Sequence, residues 1–175
     1  MGAKKILSGI TIILVMAVLS AVSVFAQGTA PGIAGATPAV YTQGQVLIGG
    51  TMSCDLDRGL EVHHPDLRRD FFWLQQTYVE RYLEPRNGAQ FHVIGIVDFA
   101  SITYSDLEGY TYSTDTINGS DNEYNQIPVG TVVAAITNSN RYSKFRIDIY
   151  GYDLTITWVT YHLPFPAFLP LMNRN

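Results

Sequence analysis

The sequence predicts a single, mainly β domain of antiparallel strands, arranged as a sandwich or barrel, with one short helix and a C-terminal three-stranded meander. Three observations predict it. Tyr142 to Tyr150 alternates apolar and polar side chains over a full strand, the period-two signature of a sheet with one face on a core. Turn residues recur at short intervals, as Gly49-Gly50, Asn87-Gly88, Asn138 to Arg141 and Gly151-Tyr152-Asp153, which suits short strands joined by tight turns. A helical spacing is offered chiefly by Asp98 to Tyr112, where Asp98 is placed to cap and Phe99, Ile102 and Leu107 recur on one side.

Residues 1–26 read as an export signal that stands outside the fold. Lys4 and Lys5 form a basic start, Ile6 to Ala26 carries no charge, and Val24-Phe25-Ala26 presents small Ala26 at the cut, so cleavage is expected before Gln27. The competing reading is a retained anchor, because the uncharged run matches the roughly 20 residues that cross a bilayer. Residues 27–44, rich in Gly, Ala, Thr and Pro, are expected as a flexible arm, or alternatively as an extended strand packed on its own domain or on a neighbour. The folded domain is expected over 45–163, and the Pro-rich apolar segment 164–175 as a tail.

Within the domain, Gln45 to Ile48 reads as a short strand and Thr51 to Asp57 as the next. Residues 60–69 are polar, contain Pro65 and read as a long loop. Asp70 to Thr77 is dense in aromatics and reads as a strand, while Tyr78 to Leu83 fits a strand or a helix. Asn87-Gly88 signals a hairpin, since both residues tolerate positive φ, and Gln90 to Val97 is the returning strand. Residues 113–128 are polar and read as a surface loop. Thr131 to Thr137, Tyr142 to Tyr150 and Leu154 to Leu163 form the meander. In its middle strand Phe145, Ile147 and Ile149 are expected on the core, with Lys144, Arg146 and Asp148 on a wet face.

Composition narrows the function classes. The chain has 175 residues, is 47% hydrophobic and 15% charged, and carries a net charge of −4. That is too apolar for a disordered chain and too acidic for a general nucleic-acid binder, which needs a basic face to release counterions. Loss of residues 1–26 removes Lys4 and Lys5, so 11 basic residues become 9 against 15 acids, a charge of −6. Cys54 is the only cysteine, so no internal disulfide forms and stability must come from burial.

The stretch Gly130 to Tyr161, GTVVAAITNSNRYSKFRIDIYGYDLTITWVTY, resembles the C-terminal part of a group of small secreted prokaryotic β-rich proteins of unknown function. In that group a GTV strand leads to a YGY-L-I-WVTY ending. Asp70-Phe71-Phe72-Trp73, Leu83 to Ala89 and Asp98-Phe99 are similar to the same group, so the resemblance spans roughly Asp55 to Tyr161. It implies a secreted β domain and brings no catalytic residues with it.

No nucleophile elbow and no phosphate loop is present. Cys54 lies just before Asp55 and Asp57, which disfavour a thiolate. His63-His64-Pro65-Asp66 reads as a polar loop, since adjacent side chains diverge and zinc needs convergence. Between Val93 and Asn140 there is no Lys, Arg or His. There Asp115, Asn118, Asp121 and Glu123 are the candidate calcium ligands, oxygen donors of the kind that ion takes. Asn118-Gly119-Ser120 is a glycosylation sequon. Tyr142 and Tyr150, with Trp158 nearby, are the candidate platform for stacking on carbohydrate. The reading is a non-enzymatic secreted or cell-surface structural or interaction protein, an assembly subunit whose arm and tail contact a second copy or a surface partner. The alternative is an extracellular carbohydrate-binding module.

Overall fold

The structure, a computed structural model, describes residues 38–63 and 65–163. Two five-stranded antiparallel sheets build it, and neither closes into a barrel. The first runs β1 (Val40–Ile48), β10 (Leu154–Tyr161), β9 (Tyr142–Ile149), β8 (Thr131–Ile136), β6 (Gln90–Ile96) across the sheet. The second runs β3 (Leu60–Val62), β2 (Met52–Asp55), β4 (Phe71–Gln75), β5 (Arg81–Pro85), β7 (Ile117–Asn118). The sandwich class and the meander β8–β9–β10 agree with the sequence reading.

Between the sheets lies the main core. Phe71, Trp73 and Leu83 of the second sheet meet Phe91, Val133, Phe145, Ile147, Ile156 and Trp158 of the first. Phe71 stacks on Phe145 at 5.6 Å and stands edge-on to Phe91 at 6.1 Å. These side chains alternate along their strands, so each strand presents one residue in two to the partner sheet.

Asn87 and Gly88 do take φ of 53° and 87°, and Ala89 N–H donates to Arg86 O at 2.9 Å. The turn they make does not close a hairpin, however. β5 belongs to one sheet and β6 to the other, so this turn carries the chain across the sandwich. Local turn chemistry specifies the reversal and leaves the partner strand to burial.

The helical region divides at Ile102, where the backbone is extended. Phe99–Ser101 is a single 3-10 turn capped by Asp98, and α1 spans Tyr104–Gly109. Thr103 and Asp106 close a capping box at its start. These turns cover the outer face of the first sheet, where Ile102, Tyr104 and Leu107 bury Val132, Ala134 and Tyr161. The expected wet face of β9 is therefore a second core at Lys144, which is buried.

Four further expectations are corrected. Residues 40–44 of the expected arm belong to β1, paired with β10 from Val40↔Tyr161 to Ile48↔Leu154. Residues 60–62 of the expected loop form β3, and 117–118 form β7, with Ile117 and Ile127 buried. Ile149 is 59% exposed instead of buried. The register passes from Ile147↔Ile156 to Ile149↔Thr155, so Asp148 is an extra residue on β9. That bulge resets the alternation and turns Ile149 outward. The expected signal 1–26, the rest of the arm up to residue 37, His64 and the tail 164–175 lie outside the described residues. Among the described residues no helix is long and apolar enough to cross a membrane.

Candidate functional site

The three residues expected as a sugar platform do not share a face. Trp158 is buried between the sheets, its ring packed close against Gly44 and Gly59. Tyr142 lies on the opposite face of the first sheet, 5.5 Å from Tyr104 and 6.0 Å from Tyr112. Tyr150 turns inward after the β9 bulge, with its ring edge-on to Trp73 at 6.0 Å. Its hydroxyl donates to Gly119 O and accepts from Arg81 Nη1. Each of the three is thus consumed by packing.

Of the four oxygen donors expected for calcium, three face protein partners of their own. Asp115 accepts from Ser113 Oγ at 2.9 Å. Asn118 Oδ1 accepts from Ser120 N–H at 2.8 Å. Asp121 lies 3.9 Å from Arg81 Nη1, and Glu123 is exposed. Among the described residues no three His, Cys, Asp or Glu side chains converge on one point. Asn118 of the sequon ends β7, paired with Tyr82, and Ser120 just beyond it is buried with its hydroxyl donating to Arg81 O. His92 stacks on Tyr110 at 4.6 Å and donates from Nδ1 to Thr111 O, while His162 meets Tyr41 edge-on.

A buried acidic joint was not visible in the sequence. Asp70 is fully buried and bonds both sheets: Oδ2 accepts from Leu56 N–H and Oδ1 from Asn138 N–H, each at 2.7 Å. Burial pushes its carboxyl up to about 7, against the opposing pull of those two hydrogen bonds. Asp57 accepts from Thr137 Oγ1 at 3.2 Å and from Arg141 Nη1 at 3.3 Å. Asp55 accepts from the backbone of Asp57 and Arg58, and its carboxyl is raised by burial and by Asp57. Cys54 is fully buried beside them, and burial followed by the Asp70 charge pushes its thiol up. A raised, inaccessible thiol is a poor nucleophile. A cavity of about 170 Å³ opens over this joint, lined by Tyr41, Asp57, Arg58, Arg68 and Arg141 among others. Asp66 ties up Arg68 and Asp57 ties up Arg141. The cluster pins the β8–β9 turn to the turn after β2, which is a structural task.

The remaining feature is an edge. β1 is the outer strand of the first sheet, nine residues long, VYTQGQVLI, with no charge and no proline. Leu47 is 58% exposed, and Val40 and Tyr41 are also exposed. One side of β1 pairs with β10. Among the described residues no hydrogen bond reaches a backbone group of 40–48 from the other side. The other edges are protected differently. β3 and β7 have three and two residues, and β6 is bridged at Phe91 by Ser113. Edge strands carry short length, charge or proline when pairing must be prevented, and β1 has none of these. The signal in the sequence was the uncharged run Val40 to Ile48, which the Gly-rich flank disguised as part of an arm.

No family model matches the chain, and neither a curated protein nor a solved structure matches it.

Proposed function

We propose that this protein is a secreted or cell-surface structural subunit that assembles through the edge of β1. The observation that carries the reading is the nine-residue uncharged edge without a described partner. The occupant is β1 of a second copy. An antiparallel β1–β1 pairing opposes no like charges, because the strand has none. Such a contact is isologous and closes as a two-fold dimer with a continuous ten-stranded sheet. Export is supported by Lys4-Lys5, the uncharged run after them and the Val24-Phe25-Ala26 cut site. An extracellular subunit with a lone buried cysteine relies on strand pairing rather than on disulfides to assemble.

The test is the mass of the secreted protein in solution. The wild type is expected as a dimer, with Gln27 or a close neighbour as its first residue. Leu47→Lys places a charge on the edge and is expected to yield a folded monomer that melts like wild type diluted to its monomer. A wild-type monomer at its highest soluble concentration overturns the proposal, as does a dimer that Leu47→Lys leaves intact.

A further inference from the structure

Two turns at one end of the sandwich form a cleft of about 380 Å³. Gln75 at the end of β4 and Gln76, Thr77 and Tyr78 of the turn after it supply one wall, the turn after β9 supplies Tyr152, and Arg81 completes the lining. Its volume falls at the lower end of small-molecule sites, about 300–1,000 Å³.

Both turns are fixed. Trp73 Nε1 donates to Tyr152 O at 3.1 Å, and Gln75 Nε2 donates to Gly151 O at 3.4 Å. Thr77 Oγ1 accepts from the N–H groups of Val79 and Glu80, which shapes the Tyr78 turn. Tyr152 lies against Gly50: a Cβ there would fall within 2.7–2.8 Å of three ring atoms. The ring is seated on backbone and still 64% exposed, and Tyr78 is 90% exposed. A fixed, exposed aromatic ring pays little entropy on stacking.

The cleft also holds polar groups. Arg81 is 7% exposed. It donates to Gln75 Oε1 at 3.1 Å, to Tyr150 Oη at 3.3 Å and to Tyr78 O at 3.0 Å. A guanidinium has five N–H donors, so two remain. Asp121, 3.9 Å away, balances its charge. The site therefore has no surplus charge to hold a phosphate or carboxylate. It has open aromatic surface beside unsatisfied planar donors.

We infer that this cleft binds a neutral saccharide. A pyranose ring presents an apolar C–H face, which lies on Tyr152 with Tyr78 at its other side. It also presents hydroxyls in the ring plane, which meet Arg81 and the Gln76 amide. None of its lining residues belongs to β1, and its test reads sugar uptake rather than mass, so it stands or falls independently of assembly.

The experiment titrates cellohexaose, chitohexaose, laminarihexaose and mannohexaose into the secreted protein by calorimetry. At least one is expected to saturate. Tyr152→Ala is expected to weaken it by about tenfold or more, and Tyr152→Phe to retain most of the affinity. Tyr78→Ala is expected to weaken it less, and Tyr124→Ala, an exposed tyrosine outside the cleft, to leave it unchanged. Thermal melts of Tyr78→Ala and Tyr152→Ala matching wild type confirm that the variants are folded. No uptake of any of the four sugars at millimolar concentration overturns the inference. So does binding that neither Tyr78→Ala nor Tyr152→Ala weakens.

Discussion

Lys144 Nζ lies 2.6 Å from the carbonyl oxygen of Ile102 and donates to it across the outer face of the first sheet. The same ammonium donates to Phe99 O at 2.6 Å and sits 4.5 Å over the Phe99 ring. One buried cation thus ties the 3-10 turn and the start of α1 to the middle of β9. Burial lowers its pKa, and Asp98 and Asp106 pull the other way.

Lys144→Met leaves both carbonyls without their donor. Hydrogen bonds to charged groups contribute about 1.5–3 kcal/mol, so a loss of about 2–3 kcal/mol is expected in urea denaturation. Hydrogen exchange should quicken first over 99–109. Lys144→Arg is not expected to rescue, because a planar guanidinium does not fit where an ammonium points at two oxygens. A variant as stable as wild type would show that the second core stands without this clamp.

Ile147 tests the main core. It is fully buried between the sheets, and Ile147→Ala is expected to cost about 2–5 kcal/mol, as for a truncated buried aliphatic. Arg146 faces the other way, bonded to Asp148 at 2.7 Å, with a side chain 40% exposed. Arg146→Ala is expected to cost under about 1 kcal/mol. Denaturation midpoints in the reverse order would shift the β9 register by one residue.

The alternation at Phe145 and Ile147 was legible because a strand with one face on a core must repeat every second residue. The wet face was not, because the chain that covers it comes from 99–112. Nothing local to β9 announces that cover. Lys144 in fact read as solvent-facing, and only the carbonyls of Phe99 and Ile102 explain its burial. Asp148 hid for a similar reason: a bulge adds a residue without altering composition. At the candidate sites the lesson is sharper. Trp158 and Tyr150 are aromatic like any sugar platform, yet their neighbours across the core claim them. Tyr78 and Tyr152 are 74 positions apart in the numbering, and only the packing of two turns unites them.

Asp70 links stability to pH with a definite sign. Its carboxyl moves from the ordinary value of 3.8 up to about 7 in the folded chain. Between those values the folded state binds a proton that the unfolded state has lost. The stabilisation is therefore complete below about pH 4 and disappears as pH rises through about 7. Asp70→Asn is neutral throughout and lacks this dependence. The stability of wild type minus that of the variant is expected to be larger at pH 5 than at pH 8, measured by urea denaturation at both. A difference that stays constant or grows with pH would show Asp70 ionised in its buried site.

Two glycines with positive φ separate strain from space. Gly59 has φ of 64° and Gly88 has φ of 87°. A side chain at either pays about 1–2 kcal/mol for the left-handed backbone. At Gly88 nothing lies within 4 Å of a built Cβ, so Gly88→Ala is expected to cost that amount alone. At Gly59 the Cβ would fall 1.7 Å from Trp158 Cζ2 and 1.9 Å from Cη2. The indole is closely confined, because a Cβ built on Gly44 would also fall 2.9 Å from Cη2 and Thr42 Oγ1 accepts from its Nε1. Overpacking adds about 1–3 kcal/mol or more to the backbone cost. Gly59→Ala is thus expected to be the more damaging of the two by at least about 1 kcal/mol. A second change isolates the reason. Trp158→Leu removes the ring and is itself destabilising, but in its presence Gly59→Ala should cost no more than Gly88→Ala does. Double-mutant cycles by urea denaturation measure this coupling. Zero coupling between positions 59 and 158 would mean that the turn after β2 does not rest on the Trp158 ring.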